Sequence, residues 1–159
     1  MPDFELKICK PDDLAVRIAQ LPKPVVLTNG VFDILHRGHV TYLATARALG
    51  ASLIVAVNSD DSVRRLGKGN DRPLNHCEDR MALLAALESV SLVVAFGQDT
   101  ALEIVDVVRP QIYVKGGDYQ MHEIPEGKLV LSYGGQAIAI DFEHDRSTSK
   151  LLQKVRHAS

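Results

Sequence analysis

The sequence predicts an α/β fold, a Rossmann-like doubly wound parallel sheet of five strands in the order 3-2-1-4-5 with helices on both faces. Three observations predict it. Short apolar runs recur at Pro24-Val25-Val26-Leu27, Leu53-Ile54-Val55-Ala56-Val57, Leu92-Val93-Val94-Ala95, Gln111-Ile112-Tyr113-Val114 and Ala137-Ile138-Ala139-Ile140. Runs apolar along their length, rather than alternating, mark parallel strands covered on both faces. Segments with apolar residues at helical spacing separate them, so strand and helix alternate and each crossover is right-handed. Glycine and polar residues gather just after the strands, at the edge where open α/β sheets bind ligands.

Composition bounds the reading. At 159 residues, 46% hydrophobic and 24% charged, the chain is expected to form a single domain over 1–159. Within it lie a lead-in helix at 10–21, an α/β core at 24–145 and a C-terminal helix at 147–156. Eighteen basic and twenty acidic residues leave a net charge of −2. No basic field points to nucleic acid. No apolar run is long enough to span a membrane, and Met1-Pro2-Asp3-Phe4-Glu5 does not read as a signal peptide. Cys9 and Cys77 are too few for a disulfide framework. The expected location is the cytoplasm, with no nucleic-acid or membrane partner.

Along the chain, Pro11 suits a first helical turn, Leu14, Ile18 and Leu21 share a face, and Lys23-Pro24 ends the lead-in helix. The first strand runs into Thr28-Asn29-Gly30-Val31-Phe32-Asp33-Ile34-Leu35-His36-Arg37-Gly38-His39, and Val40, Leu43 and Ala44 then open a helix. His36-Arg37-Gly38-His39 therefore lies where a strand's carboxyl end becomes a helix amino end. That place is electropositive, carries unbonded backbone N–H groups and suits phosphate. Gly38 lets an anion approach the backbone, and His36 and His39 can both donate to it. One histidine at a helix start is commonly a solvated or satisfied side chain; two around a glycine in this context point to an anion. As a zinc site the pair lacks third and fourth ligands nearby.

The second strand ends in Asn58-Ser59-Asp60, which can face a ligand or cap a helix, with Ser59 or Asp60 favoured as a cap. Residues 64–73 form a basic, glycine-bearing loop, either solvated surface or a match for an anionic substrate. Asn75 and Glu78 form a capping-box-like pair before Met81, Leu84 and Ala85, a buried stripe. Thr100 and Glu103 form another before Ala101, Ile104, Val105 and Val108, and Pro110 stops that helix. After the fourth strand comes Lys115-Gly116-Gly117-Asp118-Tyr119, where two glycines admit a flat ligand between opposite charges, or simply make a turn. Residues 120–136 read as irregular. Ser147, Thr148 and Ser149 then precede Lys150, Leu151, Leu152 and Val155 at helical spacing, so these hydroxyls can cap the helix, bind phosphate or do both.

Asn29-Gly30-Val31-Phe32-Asp33-Ile34-Leu35-His36-Arg37-Gly38-His39 resembles the signature of the cytidylyltransferase-like nucleotidyltransferases. The resemblance runs from about Val25 to the C-terminal helix. The string from Lys115 to Tyr119 resembles the branch that transfers AMP from ATP to D-glycero-β-D-manno-heptose 1-phosphate. That branch makes ADP-heptose and pyrophosphate for lipopolysaccharide core biosynthesis.

The resemblance implies catalytic roles for His36, His39 and Lys68. It implies nucleotide binding by Asn29, Gly30, Phe32, Asp33, Gly38, Arg80, Lys115, Gly116, Asp118, Ser147, Thr148 and Ser149. Asp33 is expected to fix the loop backbone rather than act as a base. Magnesium would come with ATP, bridging phosphates with few protein ligands and no dedicated protein site. Relatives carry Arg-Leu-Lys-Gly in the basic loop; here Gly67 follows Leu66 and Lys68 comes one place later. For Arg80 the resemblance implies contact with nucleotide or a neighbouring subunit, and the residues alone allow a surface ion pair with Glu78 or Asp79. His76 stands where relatives have proline and receives no role. Relatives are commonly dimers, so a homodimer or higher homo-oligomer is expected, and this copy is expected to stand apart from the kinase to which some relatives are fused. Two alternatives stay open: a cytidylyltransferase for another small phosphorylated polyol, and a nucleotide-binding module without turnover. The intact His-x-Gly-His and Ser-Thr-Ser argue against the second.

Overall fold

The five expected strands form in the expected order, and a sixth joins them at one edge. In the computed structural model, which describes residues 1–67, 69–142 and 148–158, the strands are β1 (Ile8–Cys9), β2 (Val25–Gly30), β3 (Ser52–Asn58), β4 (Leu92–Phe96), β5 (Ile112–Gly116) and β6 (Gln136–Ile140). All pairings are parallel, in the order β1-β4-β3-β2-β5-β6. The five-strand expectation is thus corrected to six. β1 is two residues long, too short to show periodicity, and pairs Ile8 with Val93 and Cys9 with Val94. Its lead-in, a 3₁₀ helix at Asp3–Lys7, is tied down by Lys7, whose Nζ donates to Leu87 O.

The described residues form seven α-helices: α1 (Leu14–Ala19), α2 (Arg37–Arg47), α3 (Asp60–Arg65), α4 (Cys77–Ala85), α5 (Leu102–Val108), α6 (Pro125–Ser132) and α7 (Thr148–Ala158). β3 is buried along its whole length, as its unbroken apolar sequence requires. One face of the sheet packs Val25, Leu27, Ile54 and Tyr113 against Leu14 of α1, Ile104, Val105 and Val108 of α5, and Val130 of α6. The other packs Val26, Val55 and Val57 against Tyr42, Leu43 and Ala46 of α2 and Leu84 and Ala85 of α4.

Local differences from the sequence reading have local causes. The lead-in helix splits into a 3₁₀ turn at Pro11–Asp13 and α1. Residues 60–65, read partly as loop, form α3 because Ser59 caps it, its side chain accepting from Ser62 N. The irregular stretch at 120–136 contains α6, with Pro125 in its first turn. Neither expected capping box forms. Asn75 turns its amide to the Asp33 carbonyl instead, and Thr100 bonds only to Leu102 N, at 3.4 Å. Both cysteines are free thiols whose pKa values burial raises. Among the described residues no helix is long and apolar enough to cross a membrane.

The chain moves outward from β2 through β3 to β4, then returns to place β5 on the other side of β2. The strand order therefore reverses between β2 and β5, and open α/β sheets bind ligands in the crevice at such a point. Asn29, Gly30, Lys115 and Gly116 stand at those two carboxyl ends.

Candidate functional site

His36 and His39 begin α2 as a reciprocal cap. Gly38 N–H donates to His36 Nδ1 at 3.1 Å, and His36 N–H donates to His39 Nδ1 at 3.4 Å. The two rings stack, with centroids 3.8 Å apart and planes 29° off parallel. Because each Nδ1 accepts a backbone proton, the proton of each neutral ring sits on Nε2. Burial, and then the neighbouring His36, lower the pKa of His39 to about 4. His39 is thus a neutral ring with an Nε2–H donor at pH 7. Two such donors beside the N–H groups of a helix start suit a phosphate group.

The loop before them is held under strain. Phe32 adopts φ of 51°, a left-handed conformation rare for an aromatic residue, and its ring meets His39 edge-on at 5.2 Å. Gly30 makes room for that ring, since a Cβ there would lie 2.9 Å from it. Asp33 is buried and accepts from Arg72 Nε at 2.6 Å and from the N–H groups of Leu74 and Asn75 at 2.9 Å. Burial alone would raise its pKa; the two amides and the guanidinium hold it below the usual carboxylate range instead. Its carboxylate therefore ties this loop to residues 72–75, as expected, and every one of these bonds is internal.

The surface ion pair that the residues alone allow for Arg80 does not form. Arg80 is fully buried, with 0% exposure, and pairs with neither Glu78 nor Asp79. Its Nε donates to Asn75 O, Nη1 to Val31 O and Asn58 O, and Nη2 to Asp60 Oδ1, at 2.8–3.0 Å. A guanidinium with this many internal acceptors and no exposed surface holds these backbone segments together. Arg72 and Asp60, to which the sequence assigned no such part, complete one buried network joining residues 31–33, 58–60 and 72–80. A lone acidic residue after a strand and an arginine before proline carry no periodic signal that would have revealed it.

Other candidates stand around the switch point. Asn29 Oδ1 accepts from the buried hydroxyl of Tyr113. Lys115 Nζ lies 4.4 Å from the centre of the Tyr119 ring, and Asp118 is exposed beside it. Gly116 packs closely under two rings: a Cβ there would come within 2.6 Å of Phe142 and 3.2 Å of Tyr42, so the exposed Phe142 ring would have to shift. Gly38 is buried in the first turn of α2. Thr148 and Ser149 belong to the first turn of α7. Lys68 and Ser147 lie outside the described residues. Among the described residues no group of three or more metal-ligating side chains is assembled.

Comparison with known proteins agrees with this geometry. The cytidylyltransferase-like family profile matches residues 27–153. The chain is 58% identical over 155 residues to the D-beta-D-heptose 1-phosphate adenylyltransferase of Bordetella bronchiseptica, covering 96% of each chain. It is 47% identical over 156 residues to the bifunctional protein HldE of Escherichia coli O157:H7, spanning 98% of this chain and 31% of that longer one. A lipopolysaccharide core biosynthesis protein from Thermoplasma volcanium superposes with a TM-score of 0.60 at 30% identity, over 75% of this chain and 95% of the other. A pantoate-beta-alanine ligase from Francisella tularensis shares the fold alone, at 11% identity and a TM-score of 0.58, over 87% of this chain and 68% of its own. With its strand–loop–helix arrangement at residues 25–47 and a profile match over residues 27–153, the chain belongs to the cytidylyltransferase-like family.

Proposed function

We propose that the protein is a nucleotidyltransferase that moves AMP from ATP to D-glycero-β-D-manno-heptose 1-phosphate, releasing pyrophosphate and forming ADP-heptose for lipopolysaccharide core biosynthesis. The observation that carries the reaction class is the stacked His36–His39 pair, two imidazoles fixed as Nε2–H tautomers at a helix start. The choice of substrate rests on the 58% identity to the Bordetella bronchiseptica enzyme.

In this reading an oxygen of the sugar phosphate attacks the α-phosphorus of ATP in line, and pyrophosphate leaves. No covalent intermediate with the protein is needed, so positioning and stabilisation of developing charge supply the catalysis. His36 and His39 donate to the phosphoryl oxygens as neutral groups and keep their protons. Lys68 and Lys115 add positive charge, and Ser147, Thr148 and Ser149 hold the outer phosphates. Magnesium bound with ATP would supply positive charge at the phosphates. Asp33 is engaged by Arg72 and two amides, which fits a metal held mainly by phosphates. The location is the cytoplasm and the assembly a homodimer, which sedimentation of the purified protein would check.

A pyrophosphate-release screen tests the substrate. ATP and CTP are each combined with the heptose phosphate, glycerol 3-phosphate and other polyol phosphates. Turnover of ATP with the heptose phosphate is expected; turnover only of CTP with a polyol phosphate would replace this reading.

A further inference from the structure

Asn29 and Tyr113 meet on the sheet face away from α2. Residues 25, 27 and 29 of β2 share that face, and Tyr113 of β5 stands in register with Leu27. The phenol therefore runs along the face toward the carboxyl edge, where its hydroxyl donates to Asn29 Oδ1. Tyr113 itself is fully buried, at 0% exposure, in the packed core. Phenylalanine would fill that space equally well, and a buried hydroxyl is costly without a partner. Asn29 Oδ1 is the partner that the hydroxyl has. Burial also pushes the Tyr113 pKa up, so the group remains a donor.

The consequence falls on the amide. Nothing in an asparagine side chain distinguishes its two flipped orientations except the bonds it makes. With Oδ1 bound to Tyr113, the Nδ2 hydrogens are turned away from the core. Among the described residues no group accepts from Nδ2. Asn29 is half-buried at the end of β2, at the crevice between β2 and β5. An amide NH₂ fixed there suits an anionic oxygen; the flipped amide would present its carbonyl oxygen to the same anion and repel it.

We propose that Tyr113 is a positioning residue, whose hydroxyl holds the Asn29 amide so that Nδ2 donates to a phosphate oxygen of the bound nucleotide. The inference rests on the nucleotidyltransferase reading above. Tyr113→Phe, Asn29→Ala, Asn29→Asp and the Tyr113→Phe/Asn29→Ala double variant test it. Affinity for magnesium–ATP is measured by calorimetry, together with kcat, KM and melting temperature. Tyr113→Phe is expected to stay folded and to lose roughly five- to thirtyfold in nucleotide affinity or kcat/KM, the scale of one hydrogen bond. Asn29→Ala should lose at least as much, and Asn29→Asp more, since a carboxylate can accept from Tyr113 but opposes phosphate. In the Asn29→Ala background, Tyr113→Phe should have no further effect on nucleotide affinity.

Unchanged affinity and kcat/KM in Tyr113→Phe, with only a lower melting temperature, would make the hydroxyl merely structural and overturn the proposal. Losses that multiply in the double variant would overturn it too. Wild-type protein that binds magnesium–ATP but does not turn over the heptose phosphate would refute the substrate reading alone, because the binding measurements still judge Tyr113. Wild-type protein that binds neither ATP nor CTP would refute both.

Discussion

At His36 and His39 two imidazoles make one cap, and the cap decides their chemistry. Each ring is anchored through Nδ1, so each presents the same nitrogen, Nε2, as its donor. Removing a donor aimed at charge that develops in a transition state typically costs roughly a hundred- to a thousandfold in rate. His36→Ala and His39→Ala are each expected to lose kcat on that scale while ATP affinity falls much less, measured by steady-state kinetics beside calorimetry. Near-normal kcat in both would remove the motif from the mechanism. His39 also carries a pH signature. Its pKa falls from the ordinary 6.5 to about 4, because burial and His36 disfavour the charged ring. Between those values the unfolded chain binds a proton that the folded protein does not. Its contribution to stability is full above pH 6.5 and is lost as pH falls toward 4, worth at most about 3 kcal/mol. Urea unfolding at pH 7 and at pH 4.5 should show this loss in wild type and a smaller one in His39→Asn.

Helix α4 contributes Arg80 as well as its apolar stripe. The guanidinium reaches across to Val31, Asn58, Asn75 and Asp60, and so sets the start of α4, the end of β3 and the loop that leads to the histidines. Arg72 clamps the same loop from the other side through Asp33. Breaking one partner of a buried pair leaves charge and carbonyl groups without compensation, at a cost of about 3–5 kcal/mol. Arg80→Met is expected to lower the urea midpoint by that equivalent. Arg80→Lys should recover only part, because a lysine ammonium cannot serve this fork of acceptors. Stability in Arg80→Met equal to wild type would show that the network is dispensable.

For the molecule as a whole, stability and site are spatially separate at one edge. β1 covers the outer edge of β4, and both β4 and β3 lie between it and β2. The segment buries Cys9 in one core and packs Phe4 and Ile8 against the other. Deleting residues 1–9 is expected to cost about 3–5 kcal/mol of stability, from the apolar surface re-exposed. At 20 °C kcat should stay within about twofold of wild type, because the crevice between β2 and β5 is untouched. A kcat loss far beyond the loss of folded protein would show that the edge and the site are coupled.

Much of this was legible in the chain itself. The apolar runs specify buried parallel strands, and crossover handedness orders them, so the five main strands and the position of the crevice follow from local pattern. Residues 28–39 specify the turn from β2 into α2 because glycine, histidine and a helix start act over a few neighbouring positions. β1 escaped that reading because two residues carry no period, and α6 because proline and glycine look like loop until Pro125 is seen at a first helical turn. Arg80, Arg72 and Tyr113 are a different matter. Each has a partner 39 to 84 positions away in the chain, Asp33 for Arg72, Val31 for Arg80 and Asn29 for Tyr113. A side chain's type says how many bonds it needs, and only the packed sheet says who supplies them. The tertiary structure therefore decided that Arg80 is buried among backbone carbonyls and Asp60, and that the Tyr113 hydroxyl donates to Asn29 at the end of β2.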